Sequence, residues 1–222
     1  GLPSIFTLYF GGADAAAHVS GDLALMDYLS RVVDPLLGEF FDALEQADSR
    51  WQSDTLFVFS ADHGRTETSA TLGDFLAPLE ISEALARAGF DPEHAFVAYQ
   101  EGGSAFVYLR PAGEPWSESP DAATLRAAAE ALASDLWLSG ELQAVCYRDS
   151  GYRCLNRMHS DTVRLLEDLN SPRTGDLILL AKPGRYFGNS LPESSQHGAL
   201  DPTDLAVPLI LAGGGVQRGR IR

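Results

Sequence analysis

Residues 54–60, DTLFVFS, form an apolar run of strand length carrying β-branched and aromatic side chains, the pattern of a buried strand. Working backwards, residues 22–47 set Leu25, Leu29, Val32, Val33, Leu36, Leu37, Phe40 and Leu44 at helical spacing. That spacing predicts one long helix, bent near Pro35. Residues 4–10, SIFTLYF, are a second strand-like run. Strand, helix and strand within about 55 residues predict a βαβ unit and a parallel sheet.

Working forwards, residues 80–88 read as a short helix closed by Gly89. Residues 94–100 and 104–109 read as paired strands around Glu101-Gly102-Gly103, and 121–137 as an Ala- and Leu-rich helix. Residues 159–169 predict a short helix, and 176–181 (DLILLA) and 206–212 (AVPLILA) two more strands. The loop between them, 182–205, is long and rich in Gly, Pro and Ser, and such loops are often functional. No composition break marks a linker. Residues 1–222 therefore predict a single α/β domain, with 80–175 as an inserted cap.

The 222 residues, 45% of them hydrophobic, suffice for a substantial core. A formal net charge of −15, from 16 Lys+Arg against 31 Asp+Glu, repels phosphate backbones and excludes a broad nucleic-acid footprint. A small anionic substrate stays compatible with it, because bound divalent metal reverses the sign locally. No apolar stretch approaches the roughly 20 residues of a membrane span. Nothing at the start resembles a signal peptide. The chain opens Gly1-Leu2-Pro3 without Met and passes at once into SIFTLYF, which predicts a sequence that sets in within a domain.

Cys146 and Cys154 flank YRDSGYR, with Asp149-Ser150-Gly151 as a turn signal. Residues 142–147 and 152–155 then make a hairpin centred on Ser150, with the two sulfurs opposite each other. Two unpaired thiols near a hairpin are the alternative. A disulfide would point to an oxidising compartment.

Three segments at strand ends carry the chemistry, and α/β proteins set ligand sites at such ends. In YFGGADAAAHVSG, residues 9–21, Asp14 and His18 are spaced i, i+4. On one helical turn they share a face and can bind one metal. In FVFSADHGRTE, residues 57–67, Asp62 and His63 follow a strand and precede Gly64. In SSQHGALDPTDLAVPLILAGGG, residues 194–215, His197 lies in the long loop. Read alone, each has a plainer reading: a helix-capping Asp, an Asp-His-Gly turn, a solvated loop His. Arg65 and Glu67 read equally as substrate contacts or as a solvated loop. His94 and His159 have no ligand cluster near them in sequence and read as ordinary.

Taken together, the three segments resemble the alkaline phosphatase superfamily, closest to its type I phosphodiesterase and nucleotide pyrophosphatase branch. There an Asp-x-x-x-His follows one strand, a Ser-Asp-His-Gly-like segment follows the next, and a late His-Gly precedes a Val-Pro-rich strand. GGSAFVYL at 102–109 and RTGDLILLAKPGRYF at 173–187 are similar to core strands of the family.

The resemblance implies a doubly wound, mostly parallel α/β fold and two divalent metal ions, zinc by preference. Asp14, His18 and His197 match the ligands of one ion, and Asp62 and His63 match ligands of the other. It further implies a metal-dependent hydrolase of phosphoesters or phosphodiesters acting on a small phosphorylated substrate. A sulfatase-like, phosphonate-cleaving or phosphomutase member of the superfamily is one alternative. A non-catalytic metal-binding module is another.

The family's first strand bears an Asp ligand followed by a Thr or Ser nucleophile. No Thr or Ser here stands in an equivalent motif. The expectation is a fold lacking its N-terminal portion, with the nucleophile upstream, little activity in this chain alone, and a sheet edge open to pairing. A periplasmic or extracellular protein is favoured.

Overall fold

The computed structural model describes residues 5–68, 75–76, 78–99, 102–188, 193–200, 202–217 and 219. They fall into two compact units, Gly1–Gly64 with Ala206–Arg222, and Arg65–Leu205.

In the first unit the expected long helix begins earlier than its apolar spacing suggests. Helix α1 (Gly12–Tyr28) runs into a π-helical turn (Leu29–Val33) and then α2 (Asp34–Ala47). Pro35 occupies the first turn of α2. It has no N–H to give to a carbonyl four residues back, so the helical run is irregular just before it. Within α1, Gly21 leaves helical geometry at φ 76°, ψ −169°. A straight helix of 17 residues would hold its ends about 24 Å apart. The break at Gly21 brings Tyr28 back onto Gly12, where a Cβ would meet the Tyr28 hydroxyl oxygen at 2.2 Å.

Helix α3 (Trp51–Asp54) leads to strand β1 (Leu56–Ser60), within the run predicted as a strand. Phe41 of α2 stacks on Trp51 at 5.3 Å and meets Phe57 of β1 edge-on at 5.2 Å. Strand β11 (Leu209–Gly213) pairs antiparallel with β1, Leu56 opposite Gly213 and Ser60 opposite Leu209. The βαβ reading of residues 4–60 is corrected here: residues 5–10 lie in no strand, and Ile5 is 86% exposed. Apolar content marks a segment that wants burial. A strand also needs a ladder partner, and among the described residues this segment has none.

The second unit holds β2 (Thr66–Glu67), β3 (Phe75–Leu76), α4 (Pro78–Arg87), β4 (Ala95–Tyr99), β5 (Ser104–Leu109), α5 (Ala122–Ser134) and β6 (Leu142–Asp149). After these come β7 (Gly151–Cys154), α6 (Ser160–Asp168), β8 (Leu177–Ala181), β9 (Tyr186–Phe187), β10 (Ser195–Gln196) and α7 (Pro202–Leu205). The main sheet has the order β4-β5-β8-β6-β7, all antiparallel. Central β8 is buried along its length, as its unbroken apolar run requires. Leu177 and Leu179 pack with Ile81, Leu85, Leu125 and Leu132 of α4 and α5. Ile178 and Leu180 face the other way, against Leu166 of α6. Alternate residues of one strand thus anchor helices on both faces.

The mixed α/β character stands. The expectation of a mostly parallel sheet does not extend to the ladders described here. Among them only β3 and β9 run parallel. Alternation of strands and helices in sequence signals a parallel crossover only when the flanking strands join the same sheet.

The hairpin forms about Ser150 as predicted, with Asp149 opposite Gly151. Cys146 and Cys154 face each other in register and form a disulfide, their Cα atoms 3.8 Å apart. The Gly/Pro/Ser-rich loop 182–205 carries short elements of its own: β9, β10 and α7.

Candidate metal centre

The i, i+4 pair forms on α1 as its spacing requires. His18 Nε2 stands 3.3 Å from Asp14 Oδ1, on side chains that are 18% and 39% exposed. Two donors bound about 2.0–2.1 Å from one tetrahedral ion stand about 3.3 Å apart. The observed spacing therefore fits two ligands of a single ion.

His63 follows β1 at the bend begun by Asp62. A ligand atom of His63 lies within 4.8 Å of one of Asp14. His63 Nδ1 is 2.9 Å from the Gly64 carbonyl oxygen. A carbonyl only accepts, so Nδ1 carries the proton and Nε2 keeps its lone pair. A backbone acceptor that fixes the tautomer in this way is the usual support of a ligating His. Asp62 is the outlier. Its carboxylate is 66% exposed, and Oδ1 stands 3.8 Å from His63 Nε2. In the first unit Asp14 thus has His18 at 3.3 Å and, separately, His63 within 4.8 Å, and carboxylate and imidazole are both donors that divalent ions accept. Sequence reading paired Asp14 with His18. It missed the approach of His63 to Asp14, which depends on the course of the chain between them.

In the second unit His197 directly follows β10, whose Gln196 pairs with Thr66 of β2. Its carbonyl accepts a hydrogen bond from Gly103 N at 2.8 Å. Lys182, Arg185 and Thr68 line a shallow hollow with it. Arg65 Nε donates to Ser195 Oγ at 2.7 Å. Neither of the other two histidines joins such a group. His94 Nδ1 stands 3.6 Å from Asp91 Oδ2 in a 3-10 turn, and His159 caps α6 by accepting from Asp161 N. Asp204, almost fully buried beside the His197 loop, was given no role by the sequence.

The family model for type I phosphodiesterase / nucleotide pyrophosphatase matches residues 2–200. This chain belongs to that family. Solved structures agree on the fold. Human ectonucleotide pyrophosphatase / phosphodiesterase 5 superposes with a TM-score of 0.58 at 15% identity, over 90% of this chain and 44% of that one. Its murine counterpart gives 0.57 at 17% identity, with the same coverage. An inactive variant of the murine protein in complex with AMP gives 0.57 at 16%. The chain thus spans less than half the length of these relatives. No curated protein matches it.

Proposed function

We propose that this chain carries the metal-binding part of a two-metal hydrolase that cleaves phosphoesters or phosphodiesters of small molecules. The observation that carries the reading is the Asp14–His18 pair, whose ligand atoms stand 3.3 Å apart, with His63 within 4.8 Å of Asp14, in a chain of a phosphodiesterase family. Asp14, His18 and His197 are assigned to one ion, and Asp62 and His63 to the other. Both ions are read as zinc. His197 enters on the order of motifs along the sequence and its match to the family.

Bound there, the cations would activate a hydroxyl nucleophile and stabilise the leaving oxygen of an in-line displacement. The chain's own contribution is to orient the ligands. Asp14 and His18, one helical turn apart, hold their ligand atoms 3.3 Å from each other, and the Gly64 carbonyl engages His63 Nδ1 and so leaves Nε2 with its lone pair. The nucleophile is assigned to a part of the protein outside these residues. A murine relative occurs in complex with AMP, and a nucleotide-sized phosphate ester suits the class of substrate proposed here.

Residues 80–175 are read as an inserted region. The disulfide Cys146–Cys154 favours an oxidising compartment, periplasmic or extracellular. No helix among the described residues is long and apolar enough to cross a membrane.

Metal analysis of the purified chain and two variants tests the assignment. The wild type should retain zinc through dialysis, whereas Asp14→Ala and His197→Ala should lose it. Unchanged metal content in His197→Ala would remove that residue from the site.

A further inference from the structure

We infer that Asp204 is a positioning residue for His197. The inference rests on the reading of His197 as a metal ligand. Asp204 lies in α7 and is 3% exposed. A buried carboxylate is costly unless donors surround it, and here each oxygen has one. Oδ2 accepts from Ala199 N at 2.7 Å, and Oδ1 accepts from Thr66 Oγ1 at 2.7 Å. Thr66 has a single hydroxyl proton. With that proton given to Asp204, the hydroxyl of Thr203, 3.0 Å away, donates to Thr66 in turn.

These bonds converge on one short stretch of chain. Thr66 is the ladder partner of Gln196, the residue before His197. Ala199 is two residues after it. Asp204 therefore joins both flanks of His197 through one rigid group. From the other side, Gly103 N holds the His197 carbonyl. A Cβ on Gly103 would meet the Ala199 Cα and N at 2.6 Å, so the loop rests directly on the bare glycine backbone. With the main chain around it held from both sides, the direction of the His197 Cα–Cβ bond is set, which limits where the ring can reach. A carboxylate suits this task because it only accepts, and two donors converge on it.

The test measures zinc affinity of the 222-residue chain by competition with a chromophoric chelator, alongside amide hydrogen exchange. Asp204→Ala should weaken zinc about 10-fold, the usual scale for losing a supporting partner, and should speed exchange at Ala199. Thr66→Val should act in the same direction. Asp204→Asn should retain both properties, because its amide can donate to Thr66 while its oxygen still accepts from Ala199. Leu132→Ala, on the buried face of α5, should lower stability and leave zinc affinity intact.

If Asp204→Ala cannot be obtained folded, Thr66→Val and Asp204→Asn carry the comparison. Wild-type zinc affinity in Asp204→Ala, or in Thr66→Val where that variant stands alone, overturns the inference. So does an equal loss in Leu132→Ala. Those results leave the metal site standing if His197→Ala still weakens binding. No effect of His197→Ala removes His197 from the metal site, and this inference with it.

Discussion

At the scale of the residue, Tyr152 makes a pH-dependent prediction. It is half-buried on β7, and its hydroxyl donates to the Gly175 carbonyl. Burial pushes its pKa up to about 12, while the Arg148 guanidinium pulls the other way. The unfolded chain releases this proton near pH 10. Between about pH 10 and 12 the unfolded state therefore holds fewer protons than the folded one. Stability from this group is complete below pH 10 and is lost as pH rises through the folded pKa. Absorbance titration should find Tyr152 ionising well after the exposed tyrosines, and Tyr152→Phe should remove one tyrosine's share of that late absorbance. Late absorbance undiminished in Tyr152→Phe would refute the assignment. At this scale the Asp14–His18 pair was legible in the sequence because helical spacing is local. The approach of His63 to Asp14, and the bond from Ala199 to Asp204, were not. Each depends on chain geometry that neither segment encodes alone.

At the scale of the element, the hairpin β6–β7 was the most legible feature. The Asp-Ser-Gly turn set the register, and the register set Cys146 against Cys154. SIFTLYF has strand composition, but composition supplies no hydrogen-bond partner, and residues 5–10 remain irregular. The strand at 54–60 was legible because it has both the apolar run and, in β11, a partner. The hairpin also yields a stability prediction. The disulfide closes a loop with a sequence separation of 8, for which chain-entropy estimates give roughly 2–3 kcal/mol. Replacing both cysteines by Ala should lower unfolding free energy by about that amount, because β7 ends its sheet and, among the described residues, pairs with β6. Denaturant titration of the second unit's unfolding measures it. A double variant as stable as the wild type would mean that the strand is held by α6 and by the Arg148 contacts instead.

At the scale of the whole molecule, ligand inventory decides what the chain can do by itself. The first proposed ion has three ligands, Asp14, His18 and His197. The second has two, Asp62 and His63, and the Asp62 carboxylate is largely exposed. Affinity falls with ligand number and charge, so the second ion should bind weakly and exchange readily. On the proposed reading the nucleophile lies outside these residues, and covalent phosphoryl transfer would then lack an acceptor within them. Val58, Leu209 and Ile210 of the β1–β11 ladder are more than half exposed, and a two-stranded apolar ladder invites further pairing. The expected outcome is zinc binding near one equivalent without turnover. Aryl phosphate and aryl phosphodiester hydrolysis should be near background for the 222-residue chain. Both zinc-dependent rates should appear once the protein is extended at the N-terminal end. Equal zinc-dependent rates from the two proteins would mean that the nucleophile lies within these residues after all. They would shift attention to the hydroxyls beside His197, Thr66 and Thr68 first among them.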